Sequence, residues 1–94
     1  IKFFVEKNIK DNSTISNINK FVILNKNFFL QPEEVVFRSL TEVLKAVGKK
    51  YYPVRGKKID NLIYLIKNDN SFMTTLGNCV IKKVNNSVIV SKER

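Results

Sequence analysis

Histidine is absent from this 94-residue chain, and cysteine occurs once. Without histidine there is no Ser-His-Asp or Cys-His nucleophile scheme and no ligand set for most zinc sites. A lone Cys79 forms no internal disulfide and has no second thiol beside which to hold a metal, which points to a reducing compartment. It stands among β-branched residues and reads as a buried structural thiol. Glycine is scarce, and Gly48, Gly56 and Gly77 are isolated, so no glycine-rich phosphate loop exists. The eight acids are scattered; Asp60 and Asp69 lie nine residues apart, and nothing marks them as a general acid/base pair. No apolar run approaches the ~20 residues that span a bilayer, and no signal peptide is present. No catalytic residue, metal site or cofactor is assigned to the chain itself.

What is abundant is positive charge. Lys and Arg number 17 against 8 acids, for a net charge of +9. Such a balance favours nucleic acid or an anionic surface. The chain is also rich in Lys, Asn and Ile and poor in Ala, Arg and Gly. That usage is expected of an AT-rich genome, so coding bias competes with function as the source of the lysines. A hydrophobic fraction of 44% is ordinary for a folded protein, and the length suits one small domain.

Periodicity predicts an α+β fold: a small helical bundle followed by a C-terminal antiparallel β-hairpin, as a single domain over 1–94. Ile1, Phe4, Val5 and Ile9 fit the end of a connecting helix over 1–12, broken by Asp11-Asn12-Ser13. The chain opens at Ile1 without an initiator methionine, which leads us to expect a piece of a longer protein. The helical part covers 20–70. In it, Phe21–Leu24 read as a short extended run, and Phe28, Phe29 and Leu30 as one helical turn. A helix is predicted over about 32–47, with Pro32 at its first position, Glu33 and Glu34 in its first turn, and Gly48 ending it. Its stripe is Val36, Leu40, Val43, Leu44 and Val47. Ile59, Leu62, Ile63 and Ile66 mark another helix, which the cluster at 68–71 ends. The hairpin covers 74–92, with Asn85-Asn86 as its turn and Gly77 as a bend before its first strand.

Between the two main helices runs Lys49-Lys50-Tyr51-Tyr52-Pro53-Val54-Arg55-Gly56-Lys57-Lys58: five cations, two phenol rings and no acid in ten residues. Arg55 follows a rigidifying proline and suits bidentate phosphate contact. Lys57 and Lys58 open a helix, where cations oppose the dipole, a small cost that phosphate would offset. Lys50 and Arg38 complete the candidate RNA-binding set, though Arg38 is equally served by ion pairs with Glu34 and Glu42, four residues to either side. Tyr51 and Tyr52 are candidates for stacking on bases, with core packing of one ring as the competing reading. Lys82 and Lys83 are adjacent on a strand and point to opposite faces.

Three segments occur in a familiar order. They are Pro32-Glu33-Glu34-Val35-Val36-Phe37-Arg38-Ser39-Leu40, then Gly48-Lys49-Lys50-Tyr51-Tyr52-Pro53-Val54-Arg55, then Thr75-Leu76-Gly77-Asn78-Cys79-Val80-Ile81. Together they resemble the region of tRNA(Ile)-lysidine synthase that lies C-terminal to its PP-loop catalytic domain. There a helix with an Arg-x-Leu ending precedes a Tyr-Pro-Pro-Arg loop and a Thr-Leu-Gly-Gly-Cys-x-Ile strand. The family's partner strand ends in an Arg-Glu pair, which Lys92-Glu93 resembles. Val54, Asn78 and Lys92 depart from the pattern, and Asn78 can still take a positive φ. The resemblance runs from about Phe21 to Glu93.

The resemblance implies a bacterial cytoplasmic ligase of tRNA modification. Its parent enzyme uses ATP to adenylate the wobble cytidine of tRNA(Ile) with a CAU anticodon, and free lysine displaces AMP to give lysidine. The ATP-binding Ser-Gly-Gly-x-Asp-Ser motif of that enzyme lies in the PP-loop domain and not in this chain. What remains is expected to bind and orient tRNA(Ile), with the PP-loop domain of the same chain as its other partner and no membrane. A structural docking or homodimer surface without RNA contact, and a free-standing basic RNA-binding module, are the alternatives.

Overall fold

Helix gives way to strand within one residue at the start of this fold. The computed structural model describes residues 1–16, 21–49 and 56–93. Helix α1, Lys2–Asn12, runs directly into strand β1, Ser13–Ser16. Strand β2, Phe21–Leu24, is followed by a short 3-10 turn at Lys26–Leu30. Helices α2, Glu33–Gly48, and α3, Gly56–Asn68, come next. Strands β3, Phe72–Leu76, β4, Cys79–Val84, and β5, Ser87–Lys92, complete the chain.

The expected α+β architecture is present, but the sheet is larger than a hairpin. Its five strands are all antiparallel in the order β1-β2-β5-β4-β3. The β4–β5 hairpin closes at Val84 opposite Ser87, with Asn85 at a φ of 57°. The extended run Phe21–Leu24 is not part of a helical unit; it pairs with β5, placing Leu24 opposite Val88 and Val22 opposite Val90. Gly77 does more than bend the chain. With φ of 59° and 66°, Gly77 and Asn78 form the two-residue turn that joins β3 to β4.

Alternation gives the sheet two faces. Leu24, Cys79, Ile81, Val88 and Val90 are buried toward the helices, where they meet Phe28, Val36, Leu40, Leu44, Ile59, Leu62 and Ile66 in one core. Each buried Val, Leu, Ile or Phe among them contributes about 1.5–3 kcal/mol by leaving water. The other face, which carries the exposed Met73, Thr75, Lys82 and Val84, has the opposite parity along each strand.

Helix ends differ from the expectation in small, physically explicable ways. Pro32 sits just outside α2 with an extended ψ of 147°, and its carbonyl accepts the first helical bond from Val36 at 3.0 Å. Gly48 is the last helical residue, and Lys49 takes the left-handed conformation, at a φ of 53°. Gly48 is needed for another reason. A Cβ there would stand 2.1 Å from the carbonyl oxygen of Gly77, so the missing side chain lets α2 rest on the β3–β4 turn.

On α1 the expected stripe is shifted. Val5 is buried, whereas Phe4 is 58% exposed and the buried position one turn on belongs to Asn8. The polar side chain is tolerated because its amide is satisfied. Nδ2 of Asn8 donates to the Phe28 carbonyl at 3.2 Å and to Ser39 Oγ at 3.1 Å, while Oδ1 accepts from Asn12 at 2.8 Å.

Candidate nucleic-acid interface

The first turn of α3 carries Gly56, Lys57 and Lys58, all exposed, and no acid. α3 is held at both ends. Gly56 lies against the ring of Phe37 on α2, at ordinary contact distance for a Cβ placed there (3.4 Å from Cζ). At its far end α3 is held by Lys83, whose ammonium donates to the carbonyls of Ile66 and Asp69, the latter at 2.7 Å. The buried residues Ile59, Leu62 and Ile66 set its rotation, so the two lysines face solvent.

Lys45 and Lys49 add exposed cations at the end of α2. Both stand at the negative end of the α2 dipole, which cations favour. Phe37 and Gly48 are eleven residues apart on α2, so the anchor points of α3's start and α2's end are separated by on the order of 16 Å. Among the described residues the ion pairs are Lys7–Asp11 and Arg38–Glu34, so Lys45, Lys49, Lys57 and Lys58 have no acidic partner there.

Arg38 has different surroundings. Its Nη2 lies 3.2 Å from Glu34 Oε1, and both side chains are more than half exposed. It lines a groove of about 630 Å³ between α1 and α2, together with Lys2 and the carboxylates of Glu6, Glu34 and Glu42. Three carboxylates against two cations make this groove a poor seat for a polyanion. Lys50, Tyr51, Tyr52 and Arg55 lie outside the described residues.

Lys82 and Lys83 point to opposite faces, and the structure shows what each does. Lys82 is exposed on the open sheet face, across from Met73 and Ile89. Lys83 faces the helices and serves as a cap for α3, a role that the adjacent-lysine pattern alone did not reveal. Its signal would have been the orphan carbonyls that every helix end leaves.

Cys79 is fully buried, and its Sγ donates to the Leu44 carbonyl at 3.4 Å. Burial is the main cause that pushes its thiol up to about 11; the Gly48 backbone opposes this in part, and the Glu93 carboxylate adds a smaller push upward. It packs beneath the β3–β4 turn, in surroundings that disfavour the thiolate. Among the described residues no group of His, Cys, Asp or Glu is arranged to hold a metal ion, and no helix is long and apolar enough to cross a membrane. Compared with known proteins, the chain matches no family model, no curated protein and no solved structure.

Proposed function

We propose that this chain is a tRNA-binding and orienting region of an ATP-dependent tRNA(Ile)-lysidine synthase, acting in the bacterial cytoplasm beside a PP-loop catalytic domain. The observation that carries this reading is the ordered set of three sequence motifs around one basic connection. The exposed, acid-free first turn of α3 supports it physically. In this reading Lys57 and Lys58, with Arg55 and Lys50 from the connection, neutralise phosphates of tRNA(Ile). Tyr51 and Tyr52 are available for stacking. The contacts hold the CAU anticodon arm toward a distant active site, where ATP and free lysine are consumed. No chemistry is assigned to this chain.

The reading frame upstream of Ile1 tests the parentage. An in-frame Ser-Gly-Gly-x-Asp-Ser motif, followed by a lysidine-forming activity of the full-length product, is the expected result. A start codon directly before Ile1 contradicts it.

One observation favours a docking role in addition. Phe3 and Phe4 on α1 are 67% and 58% exposed, with their rings edge-to-face at 5.4 Å. Exposed aromatic pairs suit a protein contact, and the catalytic domain is the partner this reading supplies.

A further inference from the structure

From Asn70 to Ile81 twelve consecutive residues carry neither charge nor proline, in a chain of which 27% is charged. That blank segment contains β3, the outermost strand on its side of the sheet among the described residues. Sheet edges are normally guarded by lysine, proline, a bulge or extreme shortness. β3 pairs with β4 through five consecutive residues without a bulge, and Phe72-Met73-Thr74-Thr75-Leu76 contains none of the usual guards.

The backbone pattern tells which groups bond to β4 and which face away from it. A two-residue turn makes Leu76 and Cys79 the closing, doubly hydrogen-bonded pair, and alternate residues behind it, Thr74 and Phe72, repeat that pattern. The N–H and C=O groups of Met73 and Thr75 therefore point away from β4, toward the open edge.

We propose that β3 pairs antiparallel with β3 of a second copy of this chain, joining the two sheets across a two-fold axis at Thr74. The segment is self-complementary about that residue, as an isologous interface requires. Met73 faces Thr75 of the second copy, and their free backbone groups exchange hydrogen bonds in both halves. Phe72 meets Leu76 on the helix-facing side, where both are half-buried in the single copy. Like charges do not meet. Lys82 lies one strand in from the edge, so the two copies of it are three strand spacings apart, about 14 Å. That exceeds the Debye length of about 8 Å at physiological salt. Lys83 is already engaged by the end of α3. Because each copy carries +9, association strengthens as salt rises, the opposite of polyanion binding.

Light scattering across a dilution series of the whole chain tests this. The expected mass is twice the 10.9 kDa of one copy at high concentration, falling to one copy on dilution and rising again with salt. Met73 is 70% exposed and Thr75 is exposed, so charged residues there leave the fold intact by circular dichroism. Met73→Lys with Thr75→Lys gives a monomer, as does Met73→Glu with Thr75→Glu. An equimolar mixture of the two restores the doubled mass, because each lysine then faces a glutamate. Wild-type protein that stays monomeric at every concentration and salt overturns the proposal. So does a dimer that survives the lysine pair, or a mixture that remains monomeric.

Discussion

The ammonium of Lys83 on β4 donates a 2.7 Å hydrogen bond to the carbonyl oxygen of Asp69, just beyond α3, and another to Ile66 within it. A sheet residue thus supplies the positive charge that a helix C-terminus attracts and satisfies carbonyls the helix leaves unpaired. Lys83→Met keeps the aliphatic stem and removes the donor. The expected cost is about 1–2 kcal/mol, read as a lower urea midpoint with unchanged slope.

Asn8 and Ser39 join α1 to α2 inside the core, at 3% and 0% exposure. Asn8→Ala leaves Ser39 Oγ, the Phe28 carbonyl and Asn12 short of a partner, and should cost about 2–3 kcal/mol. In a double-mutant cycle Asn8→Ala with Ser39→Ala should cost less than the sum, because the second change removes an already orphaned group. Strict additivity in chemical denaturation would contradict the bond.

Gly48→Ala tests the contact between α2 and the β3–β4 turn. Inside a helix this change ordinarily stabilises by ~1 kcal/mol. Here the new methyl would stand 2.1 Å from a backbone oxygen and 3.2 Å from Cys79 Sγ. The expected sign reverses, to a loss of about 1–3 kcal/mol. Ala46→Gly, two residues earlier and exposed, is the control and should show only the ordinary helix cost of ~1 kcal/mol.

Cys79 imposes a pH dependence. Its thiol is raised from an ordinary 9.0 to about 11 in the folded protein. Above pH 9 the unfolded chain releases this proton while the folded chain keeps it, so the unfolded state binds fewer protons and stability falls. The contribution is whole below pH 9 and is lost as pH rises through 11. Cys79→Ala should remove that part of the alkaline decline in thermal unfolding. Alkylation of the native protein at pH 8 should be no faster than global opening allows.

The α2 and α3 stripes were legible because valine, leucine and isoleucine recur at helical spacing with charge between them. The β4–β5 hairpin was legible because two β-branched runs flank an Asn pair. β3 was not, since its helix-facing side alternates Phe72, Thr74 and Leu76, and a half-buried threonine breaks the apolar signal. β1, Ser13–Ser16, is almost wholly polar and is extended because β2 pairs with it. Asn8 escaped notice because its burial depends on partners 20 and 31 residues away. At the candidate interface the sequence drew attention to Lys57 and Lys58, and the structure gives their exposure. It also gives what sequence could not: the acidic groove at Arg38 and the attachment of α3 at both ends.

The central claim is that the cations at the start of α3 and in the connection before it bind tRNA phosphates. Its most direct test is the salt dependence of tRNA(Ile) affinity, measured on the full-length synthase proposed above. With Arg55, Lys57 and Lys58 changed together to Ala, the slope of log affinity against log salt should flatten by about 2 to 3 units. Lys82→Ala, on the open sheet face, should leave it unchanged. Wild-type affinity and slope in the triple variant would contradict the account.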